Sequence, residues 1–389
     1  MWKNIGLFLV FSLLFHQSLL ASSKEDLKKY EQAIYKGLKY LSKAQNKNGS
    51  FGTFPNAKEQ GDVGITAVVL MAFGKAPHSF RKEFKDTIQG AVQYLLKYQQ
   101  KDGGIYNPGR GLTNYHTATS LIALCYLDRE KYKDAIKKAK EFLVKTQFSE
   151  SYQNVKPDNL HYGGWDYKPK KGGLNADMSN VQFALEALHE AGLDPKSPVW
   201  QRAVKFLSRC QNRSESNDMK GFHILNDGGF MYYPGNSKAK PIKMKDGKMA
   251  YPSYASMTYA GLKSFIYAQV DKKDPRVQAA FNWIRKHYTL EENYGLGSRK
   301  NPKGGQQGLY YYYNTFAKAL DAWGEKYIVT ADGKKHFWAK ELADKLVSLQ
   351  KPEGYWVNEN KRWWEGYPVL TTAYAVRALS VCLENMKKK

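Results

Sequence analysis

The stretch that decides the fold runs Leu342…Leu346…Leu349-Gln350-Lys351-Pro352-Glu353-Gly354-Tyr355-Trp356 and then resumes from Thr371 to Leu383. An amphipathic helix ends at a Gln, a turn of Gly plus aromatic follows, and a second, more apolar helix begins. Working back along the chain, the same unit recurs. Its turns are Gln45…Gly49-Ser50-Phe51, Gln99…Gly103-Gly104-Ile105, Gln147…Gly163-Gly164-Trp165 and Gln211…Gly228-Gly229-Phe230. A worn fifth copy has His287 in place of Gln, then Gly295. Copies lie roughly 50 to 75 residues apart, a natural length for a helix pair with variable loops.

Each turn has three expected jobs. Gly takes the left-handed conformation that ends a helix, the aromatic residue covers the end of the pair, and the Ser, Thr, Asn or Asp that follows caps the next helix. First helices carry Lys on one face (Lys28, Lys29, Lys36, Lys39 and Lys43), as an outer layer does. Second helices are apolar or small almost all round, as in Thr66-Ala67-Val68-Val69-Leu70-Met71-Ala72, and read as buried. Two concentric rings of six helices satisfy both patterns, giving an all-α (α/α)6 toroid. An open superhelix is the alternative.

The N-terminus has Lys3, an apolar run from Ile5 to Leu20 and the small residues Ala21-Ser22-Ser23. This reads as a cleaved signal peptide over 1–23, with 24–389 as a single toroid domain. An uncleaved anchor is disfavoured by the short run and by His16 and Gln17. The mature chain is expected to be exported, periplasmic or extracellular, with no span after cleavage. Cys125, Cys210 and Cys382 are odd in number and widely spaced, so they form no disulfide framework. The formal charge of +24 is spread along helix faces rather than gathered in a block. It is compatible with an acidic polysaccharide or a lipid surface, and export argues against nucleic acid.

These Gln-x-x-x-Gly-x-Trp-like turns resemble the repeats of squalene–hopene cyclases and protein prenyltransferase β subunits, in particular an exported bacterial group carrying such repeats. The resemblance implies the toroid and a central cavity. It also implies two signatures. Cyclases protonate an alkene from Asp-x-Asp-Asp-Thr at the mouth of an inner helix, and the matching stretch is Asn175-Ala176-Asp177-Met178-Ser179. Asp177 is therefore the candidate catalytic acid, but without flanking carboxylates nothing in the sequence raises its pKa, and the plain reading is a helix cap. Prenyltransferases hold zinc with Asp-x-Cys and a His. Here Tyr115-His116-Thr117 matches, yet Asp62-Val63-Gly64 has Gly64 in the thiolate position, so no metal and no other cofactor is expected.

Inner-helix starts bring a polar and aromatic set to one mouth of such a toroid: Asp62, His116, Asn180, Gln182, Tyr254, Tyr311, Tyr312, Asn314 and Trp364. They are the candidate ligand-binding residues, for an isoprenoid or another lipid. Two alternatives stand beside it: a polysaccharide-binding or polysaccharide-acting toroid, with Arg110, Arg299 or Arg362 near the acceptor, and a non-catalytic interaction scaffold.

Overall fold

The computed structural model describes residues 24–53, 60–168 and 173–388; the signal segment expected over 1–23 lies outside them. In chain order the helices are α1 (Lys24–Lys43), α2 (Val63–Lys75), α3 (His78–Glu83), α4 (Lys85–Lys97), α5 (Thr113–Leu127), α6 (Lys133–Lys145) and α7 (Met178–Glu190). They continue as α8 (Pro198–Cys210), α9 (Ala255–Tyr267), α10 (Pro275–Lys286), α11 (Leu309–Trp323), α12 (Trp338–Leu349) and α13 (Pro368–Lys387). Two short antiparallel hairpins, β1–β2 (Ile242–Lys243 with Met249–Ala250) and β3–β4 (Ile328–Val329 with Lys335–His336), decorate the loops.

The helices α2, α5, α7, α9, α11 and α13 each pack on the next, and α13 packs back on α2, so the inner ring is closed. The open superhelix is thereby excluded. The outer helices are α1, α4, α6, α8, α10 and α12. Their faces follow helical periodicity: α1 buries Tyr30, Ala33, Ile34, Gly37, Leu38 and Leu41 and turns its lysines outward. In α2 every residue but Ile65 and Lys75 is buried. All three cysteines are free and buried.

The recurring Gln is what couples one repeat to the next. Gln147 donates its side-chain amide to the carbonyl of its own turn glycine, Gly163, and to Val199 in the next outer helix, both at 3.0 Å. Gln45 does the same to Gly49 and Thr87, Gln211 to Gly228 and Arg276, and Gln350 to Gly354 and Ala33. The turn glycine has positive φ and lies against that same helix backbone. A Cβ on Gly163 (φ 83°) would stand 1.9 Å from the Arg202 carbonyl oxygen, so only glycine fits. Gly295 of the fifth copy faces Ser253 and Tyr254 instead of an outer helix, and His287 stacks on Tyr294 at 4.4 Å.

One expectation is corrected here. The Thr residues do not cap the inner helices, which begin earlier than the sequence pattern suggests. Thr66, Thr117 and Thr258 instead accept the backbone N–H of Phe51, Ile105 and Phe230, fastening the turn to the helix flank. The first N–H groups of inner helices are met by the next repeat's loop: Asn114 donates to the Tyr167 carbonyl, Met178 to Tyr232 and Ala255 to Tyr294. This places Tyr167 and Tyr232 over the inner-helix mouth.

Inner helices are also less apolar than their sequences suggest. Beyond their first two turns α7, α9, α11 and α13 each turn one charged side chain toward the middle of the ring: Glu186, Lys263, Lys318 and Arg377, all at least 97% buried. Glu186 accepts from Arg377 and, at 2.7 Å, from Lys263, while Lys318 lies 3.7 Å from it. Each charge has a partner on another inner helix, Arg377 reaching Glu186 from across the ring, which is the condition for burying it.

Candidate functional site

Above this charged layer lies a cavity of about 510 Å³. All six inner helices supply it from their first turns or N-caps: Asp62, Leu112, Ser179, Tyr254, Tyr311 and Leu370. Half of the lining residues are aromatic, among them Tyr115, Tyr167, Phe183, Tyr232 and Tyr374, with Trp363 and Trp364 at the rim. Arg110 and Lys238 are the basic residues of the wall and Asp62 its carboxylate.

The wall is held from behind. Asp177 caps α7: its Oδ1 accepts from the Asn180 N–H at 3.0 Å and its Oδ2 from the Asn180 side chain at 2.8 Å. It is buried and hydrogen-bonded to Tyr232, so that tyrosine stands between it and the cavity. Contrary to the sequence expectation, its pKa is raised to about 6, because burial outweighs those hydrogen bonds. Flanking carboxylates are not needed for the shift.

Sequence reading missed Glu365. Its carboxylate, 1% exposed, accepts from the Tyr311 N–H at 2.7 Å and from the Asn358 side chain at 2.6 Å. It thus caps α11 from another repeat, and burial raises its pKa to about 7. The preceding pair, Trp363 and Trp364, has φ of 55° and 66°. Two successive non-glycine residues in the left-handed region are strained, and Trp363 packs its ring on Gly308, where a Cβ would stand 2.7 Å from it. The only sequence signal was the bare Trp-Trp pair.

Asp62, Tyr254, Tyr311 and Trp364 meet at the cavity. His116 lies directly behind it, fully buried, with Nε2 3.7 Å from Asp62 Oδ1. Burial pushes its pKa down to about 4, so it is neutral. Asn180 serves Asp177. Gln182 and Asn314 belong to the floor: Gln182 donates to Tyr311 Oη at 3.3 Å and accepts from Lys263, and Asn314 accepts from Arg377 at 3.1 Å. Tyr312 does not join them. It turns away from the cavity, donates to the Thr289 carbonyl at 2.7 Å and packs on Tyr259 and Phe316. Tyr310 and Tyr313 are buried between helices as well, so of the four consecutive tyrosines only Tyr311 lines the cavity.

The geometry shows a second place for the Asp-x-Asp-Asp-Thr pattern. Asp62-Val63-Gly64-Ile65-Thr66 keeps its first Asp and its Thr at an inner-helix start on the cavity wall. Gly64 and Ile65 stand where the two following acids would be. The space is closed, since a Cβ on Gly64 would meet Tyr115 at 2.8 Å and His116 at 3.0 Å. The same closure applies to the Asp-x-Cys reading: Asp62 and His116 are adjacent, and Gly64 supplies no ligand. Among the described residues no group of three or more His, Cys, Asp or Glu side chains is arranged to hold a metal. No described helix is long and apolar enough to cross a membrane.

Residues 14–214 match the family model of the squalene-hopene cyclase C-terminal domain, and residues 174–317 that of the prenyltransferase alpha-alpha toroid domain. Lanosterol synthase of Candida albicans is 24% identical over 267 residues, covering 64% of this chain and 34% of that protein. The match thus spans about a third of that relative's length. A variant of the type II terpene cyclase MstE of Scytonema, in complex with the substrate geranylgeranyl dihydroxybenzoate, superposes with a TM-score of 0.57 at 15% identity, covering 94% of this chain and all of that one. An inactive variant of an alpha-1,6-mannanase of Salegentibacter, in complex with alpha-1,6-mannotriose, gives 0.56 at 12% identity, covering 92% and 99%. At these identities the likeness is one of fold, and one toroid carries both chemistries.

Proposed function

The chain belongs to the squalene–hopene cyclase C-terminal domain family, and from that premise we propose that it is an exported isoprenoid-binding toroid that holds its ligand in the aromatic cavity without cyclising it. The observation that carries the reading is the lining: half of it is aromatic, in a cavity whose volume falls within the ~300–1,000 Å³ usual for small-molecule sites.

Two features favour binding over cyclisation. Asp177 accepts from Asn180 through both oxygens, is hydrogen-bonded to Tyr232 as well, and is not among the residues that line the cavity. At the Asp62 stretch the acid positions are Gly64 and Ile65, and Tyr115 fills the space. A general acid must reach the atom it protonates; Asp177 is not in the cavity lining, and Asp62, the carboxylate of the wall, is engaged as the helix cap of the Ile65 N–H.

The glycan reading draws on the rim, where two indoles and basic groups could stack on and pair with an acidic sugar. Extraction of the protein from its exported compartment, followed by mass spectrometry of what it carries, separates the readings. A reproducible isoprenoid is expected. An empty cavity together with affinity for acidic glycans overturns the proposal, and a protein that carries neither is the interaction scaffold.

A further inference from the structure

The charges around the cavity are lopsided. Its wall holds Arg110 and Lys238 against one carboxylate, Asp62, which already accepts from the Ile65 N–H at 3.0 Å. Lys238 sets its ammonium 4.0 Å above the Tyr232 ring, inside the wall. Partial burial draws its pKa down, against the pull of the Asp177 carboxylate behind the wall, and the positive charge of Arg362 adds a smaller push in the same direction as burial. Below the wall, Tyr311 is joined through Gln182 to Lys263, which shares the single carboxylate of Glu186 with Arg377. Six inner-helix N-termini face the same space and add partial positive charge. The other two acids, Asp177 and Glu365, lie outside the cavity lining, each accepting a helix N–H, and burial raises the pKa of both.

Such a field has two consequences. A carbocation in the cavity would meet cations in the wall and beneath it, in a medium where charges are poorly screened. An anion would be stabilised, most strongly at the rim, where Arg110 and Lys238 keep access to solvent. We propose that the natural ligand is an amphiphile with an acidic end, an isoprenoid phosphate or carboxylate, whose anionic group is held by Arg110 and Lys238 while its chain lies against the aromatic wall. This rests on the isoprenoid reading of the cavity and adds the chemistry of the ligand's polar end.

The test compares three probes of equal chain length, geranylgeraniol, geranylgeranyl phosphate and geranylgeranoic acid, by quenching of tryptophan fluorescence in the mature protein. The acidic probes are expected to bind about 10-fold or more tighter than the alcohol, as one or two charge-assisted hydrogen bonds allow. In Arg110→Gln/Lys238→Gln, checked for folding by circular dichroism, the ratio of acid to alcohol affinity should shrink to within about 2-fold. Preference for phosphate alone identifies a phosphate end, and equal preference for both acids identifies charge as what is read. If the alcohol binds as tightly as the acids, or the double variant still discriminates, the acidic-end proposal is overturned while the isoprenoid reading survives. If no probe binds, both fall.

Discussion

Gln350, just past the end of α12, donates its side-chain amide at 2.9 Å to the carbonyl of Ala33 in α1, tying the last repeat to the first across 317 positions of sequence. The same amide holds the carbonyl of Gly354. One side chain therefore joins the last turn to the first outer helix, beside the packing of α13 on α2 that closes the ring, and the cavity depends on that closure because α13 and α2 both line it.

Gln350→Ala should lower stability by about 1–3 kcal/mol, the cost of leaving two carbonyls unpaired. Urea denaturation measures it. Hydrogen exchange should show the loss concentrated in α1 and α13. Equal acceleration across all helices would mean that closure does not run through this contact.

Turn glycines divide by what stands beside them. Gly163→Ala meets both a positive φ and the Arg202 carbonyl, and should cost more than about 2 kcal/mol. Gly192→Ala, with φ 62° and open space around it, should cost only about 1 kcal/mol. Thermal melts of the two variants give the comparison.

In the charged layer, Glu186→Gln strands Arg377 and Lys263 in the interior and should destabilise by roughly 3–5 kcal/mol. Removing an exposed pair, Asp332 with Lys334 at 2.8 Å, should leave stability nearly unchanged, because solvent screens it. Similar losses for both would show that the layer is wetter than its burial implies.

How much of this the sequence discloses depends on periodicity. The six pairs are legible because helix faces and the Gln–Gly–aromatic turns repeat, and a closed ring is the arrangement that buries every second helix. The Asp62, Tyr254, Tyr311 and Trp364 cluster is legible for the same reason, since all four sit at inner-helix starts. Glu365 is not, because it caps a helix that begins more than fifty residues earlier, and no local pattern records that contact. Lys263 and Arg377 look like surface residues in one dimension; only the ring brings Glu186 to them. Tyr312 fails for an angular reason: one position beyond Tyr311 on a helix is about 100° round it, enough to turn it from the cavity into the packing.

Stability should carry the imprint of Glu365. Its folded pKa, about 7, lies above the ordinary value of 4.5, so the neutral carboxyl is the form the fold favours. Its contribution is complete below pH 4.5 and is lost as pH rises to about 7, because there the unfolded chain releases the proton first. Glu365→Gln cannot titrate, so its stability relative to the native protein should rise over that window by an amount on the order of 3 kcal/mol. Chemical denaturation at pH 4.5, 6 and 7.5 checks the sign, and a flat difference would place the Glu365 carboxyl in a wetter site.

The central claim, an isoprenoid held in the aromatic cavity, is tested most directly by photocrosslinking. A geranylgeranyl probe bearing a benzophenone, irradiated with the mature protein and mapped by peptide mass spectrometry, should label residues from several inner-helix starts at once, such as Tyr254–Met257, Tyr311 and Leu370. Excess unlabelled isoprenoid should suppress the labelling. Labels confined to the outer helices, or labelling that an isoprenoid leaves untouched and an acidic oligosaccharide abolishes, would contradict the account.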